Sequence, residues 1–384
     1  VLQIDSADEG LVMATARQGI YLTEVQGRLN VGPVDSERGD VRLEVLNSAN
    51  PGEDLVISDN AIVRSVRQSL TLLAGDNIQT AATSTVWAAG AVRIQGDHDG
   101  AQNDDEGTLM NLMGELYAGS GEISGGSDND EITLGRIWRK IGGTVILDGS
   151  GGSDRLTVVD EDEETFSGRQ SLTVTADRIR SFDMASSAGL EYRNFEDGPA
   201  GDAGLELKLL HQDGYDLDIL GTSIGTSLEL GAGDDRVRVF TTSAALSVDG
   251  GEGPDALVFD GRAQRSPLSA EIRDGAQGGT GELSGTGLAF GIIFNRMEKL
   301  DLKLGSAGDQ VELDNTLDGL EVTIDGYGGD DRVTITRIGD STYFEGGAGY
   351  DELTVDLAND APTDPKYDNL FNDLSVETEL MVVD

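Results

Sequence analysis

The residues most able to do chemistry in this chain are aspartates that recur at one fixed place in glycine-rich turns. Residues 346–354 fit the nine-residue pattern G-G-x-G-x-D-x-U-x, where U is apolar, at every fixed position. Residues 250–258 also fit it at every fixed position. Residues 326–334 fit it with Tyr327 in place of the second glycine, and looser copies begin at positions 125, 149, 230 and 304. The aspartates at the sixth position are Asp130, Asp154, Asp235, Asp255, Asp309, Asp331 and Asp351.

These turns could supply oxygen ligands to a hard cation. Glycine adopts the positive φ angles that turn carbonyl oxygens outward, and the aspartate adds a charged oxygen. If the chain stacks in coils about 4.8 Å apart, oxygens from successive turns meet, and six to eight oxygens at about 2.3–2.6 Å suit Ca²⁺. We therefore predict Ca²⁺ at the seven aspartates and at their neighbours Asp234 and Asp330, because adjacent carboxylates repel unless something compensates. The alternative is a plain turn in which aspartate bonds its own backbone.

The segments around these turns predict an all-β fold. Each turn leads into a short strand with an apolar residue two places after the aspartate, and the shorter intervals between turns are 20 to 24 residues. Longer intervals of 81 and 54 residues correspond to about four coils and to an insertion. Residues 230–259 match residues 326–355 at an offset of 96, which indicates tandem units. We predict a right-handed parallel β-solenoid with coils of about 20–24 residues.

The pattern divides the chain into three parts. Residues 1–110 contain short alternating strands at irregular intervals and are predicted to form the first coils. Residues 111–355 hold the Gly/Asp turns in tandem units of about 100 residues, and residues 356–384 are predicted to be a linker or the start of a further coil.

With these motifs in place, the sequence resembles the RTX, or hemolysin-type calcium-binding, repeat proteins. The resemblance implies a β-roll-like geometry with Ca²⁺ between stacked turns, held by the aspartates and backbone carbonyls. In that family the nonapeptides follow one another directly, whereas here they occur once per longer coil, so the ions would form a row along one edge only. Residues 69–97 also loosely resemble coils of filamentous hemagglutinin-type surface proteins.

Composition limits the partners. The 384 residues include 71 acidic and 27 basic residues, for a net charge of −44, so nucleic acid and anionic membranes are disfavoured. There is no cysteine and no apolar run long enough to span a membrane. The chain starts at Val1 without a signal peptide, and we expect it to be a segment of a longer or processed protein.

Together these features predict an extracellular structural or adhesive module of a large bacterial surface protein, stabilised by calcium. Its expected partners are calcium ions, neighbouring solenoid segments of the parent chain, and surface glycans or other cells. One alternative is a secreted carbohydrate-active β-helix enzyme of the lyase or epimerase type, but the two histidines, His98 and His211, are far apart in sequence and expected to face solvent. Another is a passive filament without bound metal.

Overall fold

The computed structural model describes residues 2–6, 10–47, 52–98, 107–135, 141–160, 168–181, 184, 188–198, 202–275, 279–285, 288–314, 317–337, 341–355, 374–376 and 380–382. Within these ranges the chain is all-β, without a helix, and most strand pairs are parallel. The predictions of an all-β chain and of parallel pairing are confirmed.

The first strands are β1 (Leu2–Ile4), β2 (Leu11–Ala16), β3 (Ile20–Glu24), β4 (Leu29–Ser36), β5 (Val41–Val45), β6 (Leu55–Ile57), β7 (Ile62–Ser65), β8 (Leu70–Leu73), β9 (Ile78–Thr80), β10 (Thr85–Gln95), β11 (Leu109–Leu112), β12 (Glu115–Ser124), β13 (Glu131–Gly135), β14 (Thr144–Asp148), β15 (Arg155–Asp160), β16 (Gln170–Val174), β17 (Arg178–Ser181) and β18 (Gly189–Arg193). They are followed by β19 (Leu205–Leu209), β20 (Tyr215–Ile219), β21 (Thr226–Leu230), β22 (Arg236–Val239), β23 (Leu246–Asp249), β24 (Ala256–Asp260), β25 (Ser269–Asp274), β26 (Thr280–Gly285), β27 (Ile292–Asn295), β28 (Lys299–Lys303), β29 (Gln310–Asp314), β30 (Glu321–Asp325), β31 (Arg332–Ile335), β32 (Thr342–Glu345), β33 (Glu352–Val355), β34 (Leu374–Val376) and β35 (Leu380–Val382).

The chain forms two compact units, one of Val1–Glu164 with Asp177–Lys208 and the other of Thr165–Ala176 with Leu209–Asp384. In the first unit the strands form three parallel ladders, of which the third ends at β12. One ladder runs β1–β3–β5–β8 and continues through the second halves of β10 and β12 to β14 and β18. A second runs β4–β6–β9–β11–β13–β15, and a third joins the second half of β4 to β7 and to the first halves of β10 and β12.

In the second unit each coil contributes two strands. One ladder runs β20–β22–β24–β28–β30–β32–β34. Its partner is β21–β23–β27 in the earlier coils and β25–β29–β31–β33–β35 in the later ones. Val237 pairs with Leu257 and Val333 with Leu353, each twenty residues along the chain.

Two sections leave the parallel ladders. Strands β25, β26 and β27 form an antiparallel excursion, which accounts for the 54-residue interval. The 81-residue interval is not four regular coils, because β17 pairs antiparallel with β18, and β14 finds its next partner, β18, only after a 45-residue step from Ile146 to Glu191. An excursion of this kind adds residues without adding a coil.

The core forms from the inward side of each strand. Successive side chains of a strand point to opposite faces, and most strands accordingly alternate buried and less buried positions, as in β5, β21 and β30. Val237, Leu257, Leu300 and Val322 follow one another in register and are all fully buried. Such apolar stacks position the turns that hold the aspartates.

The end of the chain continues the ladders in part. Strands β34 and β35 pair in parallel with β32 and β33. The rest of the predicted linker, residues 356–373, 377–379 and 383–384, lies outside the described residues.

Candidate functional site

Each of the seven repeated aspartates lies directly before a strand and is buried. The strands that follow them are β13, β15, β22, β24, β29, β31 and β33. The relative exposure of the seven residues ranges from 0% at Asp130 to 3% at Asp351. Isolated buried carboxylates are costly unless hydrogen bonds or charges compensate, so their partners determine what they do.

One carboxylate oxygen binds the backbone of the preceding coil. The Asp130 N–H donates to Asp154 Oδ1 at 2.8 Å, and the Asp331 N–H donates to Asp351 Oδ1 at 3.0 Å. The same bond joins Asp235 to Asp255 at 2.8 Å and Asp309 to Asp331 at 2.7 Å. We call this contact the inter-coil carboxylate bond. It pairs a main-chain amide that lies just outside the strand ladder.

These hydrogen bonds repeat from coil to coil and form columns, and each column begins at the amide of a residue outside the aspartate set. The first amides are those of Thr108, Tyr215 and Leu268, which donate to Asp130, Asp235 and Asp309. Glu298 extends one column, because its Oε2 accepts the Asp255 N–H at 2.7 Å. Glu298 is not among the residues predicted from the Gly/Asp pattern, although it lies immediately before strand β28 as the aspartates do before theirs.

The aspartates therefore form three columns and not a row along one edge. One column contains Asp130 and Asp154, a second contains Asp235, Asp255 and Glu298, and a third contains Asp309, Asp331 and Asp351. The third column starts where β25 and β29 replace β27 as the partner ladder. The excursion at β25–β27 thus moves the Gly/Asp turn to a different corner of the coil.

The first glycine of the motif makes room for the carboxylate. A Cβ added at Gly346 would lie 2.4 Å from Asp351 Oδ2, and one added at Gly149 would lie 2.5 Å from Asp154 Oδ2. A Cβ added at Gly125, Gly250 or Gly326 would likewise lie within 3.0 Å of the Oδ2 atom of its turn's aspartate. At the two turns that start with leucine, Leu230 and Leu304, the motif lacks this glycine.

The second carboxylate oxygen separates the turns into two kinds. Asp130 Oδ2 accepts the N–H of Gly126 at 2.6 Å, and Asp309 Oδ2 accepts that of Gly305 at 2.9 Å. In the part of the chain that the structure describes, the second oxygen has no hydrogen-bond partner at five aspartates, namely Asp154, Asp235, Asp255, Asp331 and Asp351. These five oxygens are available to a proton, a water molecule or a cation.

Burial makes these groups hard to ionise. Burial raises the pKa of Asp154 and of Asp235 to about 7, and that of Asp255 and of Asp331 to about 6. The inter-coil carboxylate bonds oppose these increases, and neighbouring carboxylates reinforce them. Burial also raises the pKa of Asp130 to about 6. Near neutral pH these carboxyl groups would be partly protonated or need a positive partner.

The paired acids do not converge on one site. Asp234 and Asp330 are exposed, whereas Asp235 and Asp331 beside them are buried. Asp330 Oδ1 accepts the Tyr350 N–H at 2.9 Å, and Asp234 lies 3.8 Å from Arg169. Among the described residues, no three histidine, aspartate or glutamate side chains group closely enough to hold a metal ion. Any ion at these turns would take most of its ligands from main-chain carbonyls.

A second set of aspartates stabilises the turn entry. Asp148, Asp249 and Asp325 end their strands, and each accepts the N–H two residues later. Arg193 and Arg296, which follow the two excursions, form ion pairs with Asp148 and Asp249. Although burial acts against it, hydrogen bonds from Asn194 and Arg193 hold the pKa of Asp148 below its ordinary value. Within one turn, the pKa of Asp148 is therefore lowered, whereas the pKa of Asp154 is raised.

The histidines were expected to face solvent, and neither does so fully. His211 is 4% exposed, its Nδ1 accepts the Asp213 N–H at 3.1 Å, and its ring packs edge-on against Tyr215. His98 is partly buried, with its Nε2 3.4 Å from Glu44 Oε1. Both residues have local structural contacts.

Comparison with protein-family models, with curated proteins and with solved structures finds no match for this chain.

Replacing Gly346 with alanine should destabilise the protein. The new Cβ would displace the Asp351 carboxylate from the Asp331 amide, and overpacking of this kind costs about 1–3 kcal/mol. Urea unfolding followed by circular dichroism measures the loss. Gly221→Ala is the matched control, because its nearest contact would be an ordinary 3.7 Å to Thr241. Equal effects of the two substitutions would contradict the packing described here.

Replacing Asp235 with asparagine should change how stability depends on pH. The folded-state pKa of Asp235 is about 7, above the ordinary 3.8, so the folded state holds its proton more tightly than the unfolded state. The resulting stabilisation is complete below about pH 4 and is lost as the pH rises to about 7. Relative to Asp235→Asn, which cannot titrate, the unmodified protein should lose at least about 1 kcal/mol between pH 4 and pH 8.

Urea unfolding at several pH values, with a chelator present, measures this difference. Asp234→Asn is the control, because it removes an exposed carboxylate from the same turn. A constant difference between the unmodified protein and Asp235→Asn across this pH range would show that Asp235 ionises normally in the folded state.

Proposed function

We propose that this chain is a structural and adhesive module with no catalytic role, in which parallel coils present a surface and buried carboxylates hold the coils together. The observation that carries the proposal is the repeated inter-coil carboxylate bond, which uses the most regular acidic residues of the chain for main-chain contacts. A carboxylate bound in this way supports the backbone and is not presented to a substrate.

The alternative of a carbohydrate-active β-helix enzyme requires acidic and basic groups that converge on a groove. One open cavity of about 690 Å³ has a suitable lining, with Asp274, Arg296, Glu298 and Asp318 around it. Arg296, however, is paired with Asp249, and Glu298 accepts the Asp255 amide. Because both groups have structural partners, the cavity favours the structural proposal over catalysis.

Right-handed winding of the coils and a place outside the cell, on a bacterial surface, belong to the same proposal. The strongly acidic composition and the resemblance to RTX repeats support it. Among the described residues there is no helix with the length and apolarity needed to cross a membrane. Neighbouring solenoid segments of the parent chain and surface glycans are the proposed partners. A passive filament without metal is the remaining alternative.

Calcium is part of the proposal at the turns whose aspartate keeps an unpartnered oxygen. Asp154, Asp235, Asp255, Asp331 and Asp351 each offer one buried carboxylate oxygen of the kind that Ca²⁺ prefers. Asp130 and Asp309 are weaker candidates because both of their oxygens accept backbone hydrogen bonds. A bound cation would supply the positive charge that these buried carboxylates lack.

Millimolar Ca²⁺ should raise the melting temperature above that measured with a chelator, since an ion that binds only the folded state stabilises it. Asp351→Asn should reduce this increase. Glu312→Gln should keep it, because Glu312 is an exposed acid on strand β29. Differential scanning calorimetry measures the three proteins, with Mg²⁺ as the ion control. If the melting temperature is the same with chelator and with Ca²⁺, the calcium part of the proposal is wrong and the passive filament is favoured.

A further inference from the structure

Tyr327 occupies a motif position that is glycine in five of the other six turns and Ser150, with a φ of 74°, in the remaining one. Tyr327 has a φ of 62°, in the left-handed region, and the residues at the same motif position in two other turns are Gly251 with φ 89° and Gly347 with φ 87°. This region is unfavourable for a bulky side chain, whereas glycine enters it without strain. The chain therefore has a bulky tyrosine where the other turns of the repeat have glycine or serine.

The tyrosine ring does not offset this strain by burial. Tyr327 is 57% exposed, and Tyr350, in the turn of the next coil, is 59% exposed. They are the two most exposed aromatic side chains among the described residues. Unexplained backbone strain combined with an exposed aromatic ring is a feature of binding surfaces.

The two tyrosines lie on the same stacked edge. Gly328 bridges to Ala348 in parallel, so the turn of one coil lies directly on the turn of the other. Tyr350 donates its N–H to Asp330 Oδ1, which fixes its backbone to the coil that contains Tyr327. Asp330 is itself exposed and, through this hydrogen bond, contacts the backbone of Tyr350 in the next coil. We call Tyr327, Asp330 and Tyr350 the tyrosine edge.

The chemistry of the tyrosine edge selects a class of ligand. Aromatic faces carry negative charge density and attract the C–H faces of sugar rings, while an exposed carboxylate accepts hydrogen bonds from hydroxyl groups. The net charge of −44 disfavours polyanionic chains. Two rings among glycines and carboxylates are also too small a surface for a stable protein interface, which buries about 1,200–2,000 Å².

We propose that the tyrosine edge binds a neutral polysaccharide. The sugar rings would stack on Tyr327 and Tyr350, and their hydroxyl groups would donate hydrogen bonds to Asp330. This inference rests on the proposed adhesive function and gives it a site. Arg262, which is within electrostatic reach of Tyr327, would lie beside the same ligand.

Affinity electrophoresis tests the site with soluble neutral polysaccharides as probes: dextran, a mixed-linkage β-glucan and a galactomannan, each in a native gel. Alginate serves as the polyanionic comparison. The unmodified protein should be retarded at least twofold by one of the neutral polymers and not by alginate. Tyr327→Gly and Tyr350→Ala should each abolish the retardation. Tyr343→Ala should retain it, because Tyr343 is an exposed tyrosine on strand β32, outside the tyrosine edge.

A folding control accompanies the binding assay. Tyr327→Gly restores the repeat's own residue, so its melting temperature should not fall, and its loss of binding cannot then result from unfolding. Retardation that survives both tyrosine substitutions would overturn the tyrosine edge while leaving an adhesive function in place. A lack of retardation by every neutral polymer, or retardation by alginate alone, would also overturn it. If the tyrosine edge binds a protein and not a glycan, none of the neutral polysaccharides will retard the protein in the gel, and the proposal is wrong.

Discussion

The hydrogen bond from a main-chain amide in one coil to a buried carboxylate in the next is the interaction on which the turns of this protein depend. Parallel ladders satisfy the amides within the strands, but the amide of the residue just before a strand lies outside the ladder. An unpaired buried amide costs about 1–3 kcal/mol. The aspartate before the next strand meets this need, as Asp351 does for Asp331. Since the acceptor aspartate also presents its own amide to the following coil, the same bond repeats down each column.

This solution places a charge in the interior. One oxygen of each carboxylate is bonded, but at Asp235 and four other aspartates the second oxygen is buried without a partner. The turn of Asp309 avoids the problem by offering the Gly305 amide to its second oxygen. At the five aspartates whose second oxygen has no partner, a proton or a cation would neutralise the carboxylate, and we propose that this links the cohesion of the coils to the surrounding solution. A module that is exposed to a variable exterior would acquire conditional stability in this way.

Much of this arrangement could be predicted from the sequence. The alternation of apolar residues identified the strands, and the spacing of glycines and aspartates located the turns, because both depend on local geometry. The direction of the aspartate side chains could not be predicted. Whether Asp331 faces solvent between turns or the Asp309 amide depends on how coils stack, which is a tertiary property. Glu298 takes the place of an aspartate in its column, and the Gly/Asp turn then moves to a new corner of the coil. Both features follow from the β25–β27 excursion, whose antiparallel pairing has no periodic signal in the sequence.

Amide hydrogen exchange of Asp331 is the most direct measure of the inter-coil carboxylate bond. A sample labelled with ¹⁵N-aspartate allows this amide to be followed individually, with the Asp235 amide, bonded to Asp255, as an internal reference. We expect Asp351→Ala to increase exchange at Asp331 by at least tenfold and to leave exchange at Asp235 unchanged. Equal exchange at Asp331 in the unmodified and substituted proteins would contradict the claim that buried carboxylates join the coils.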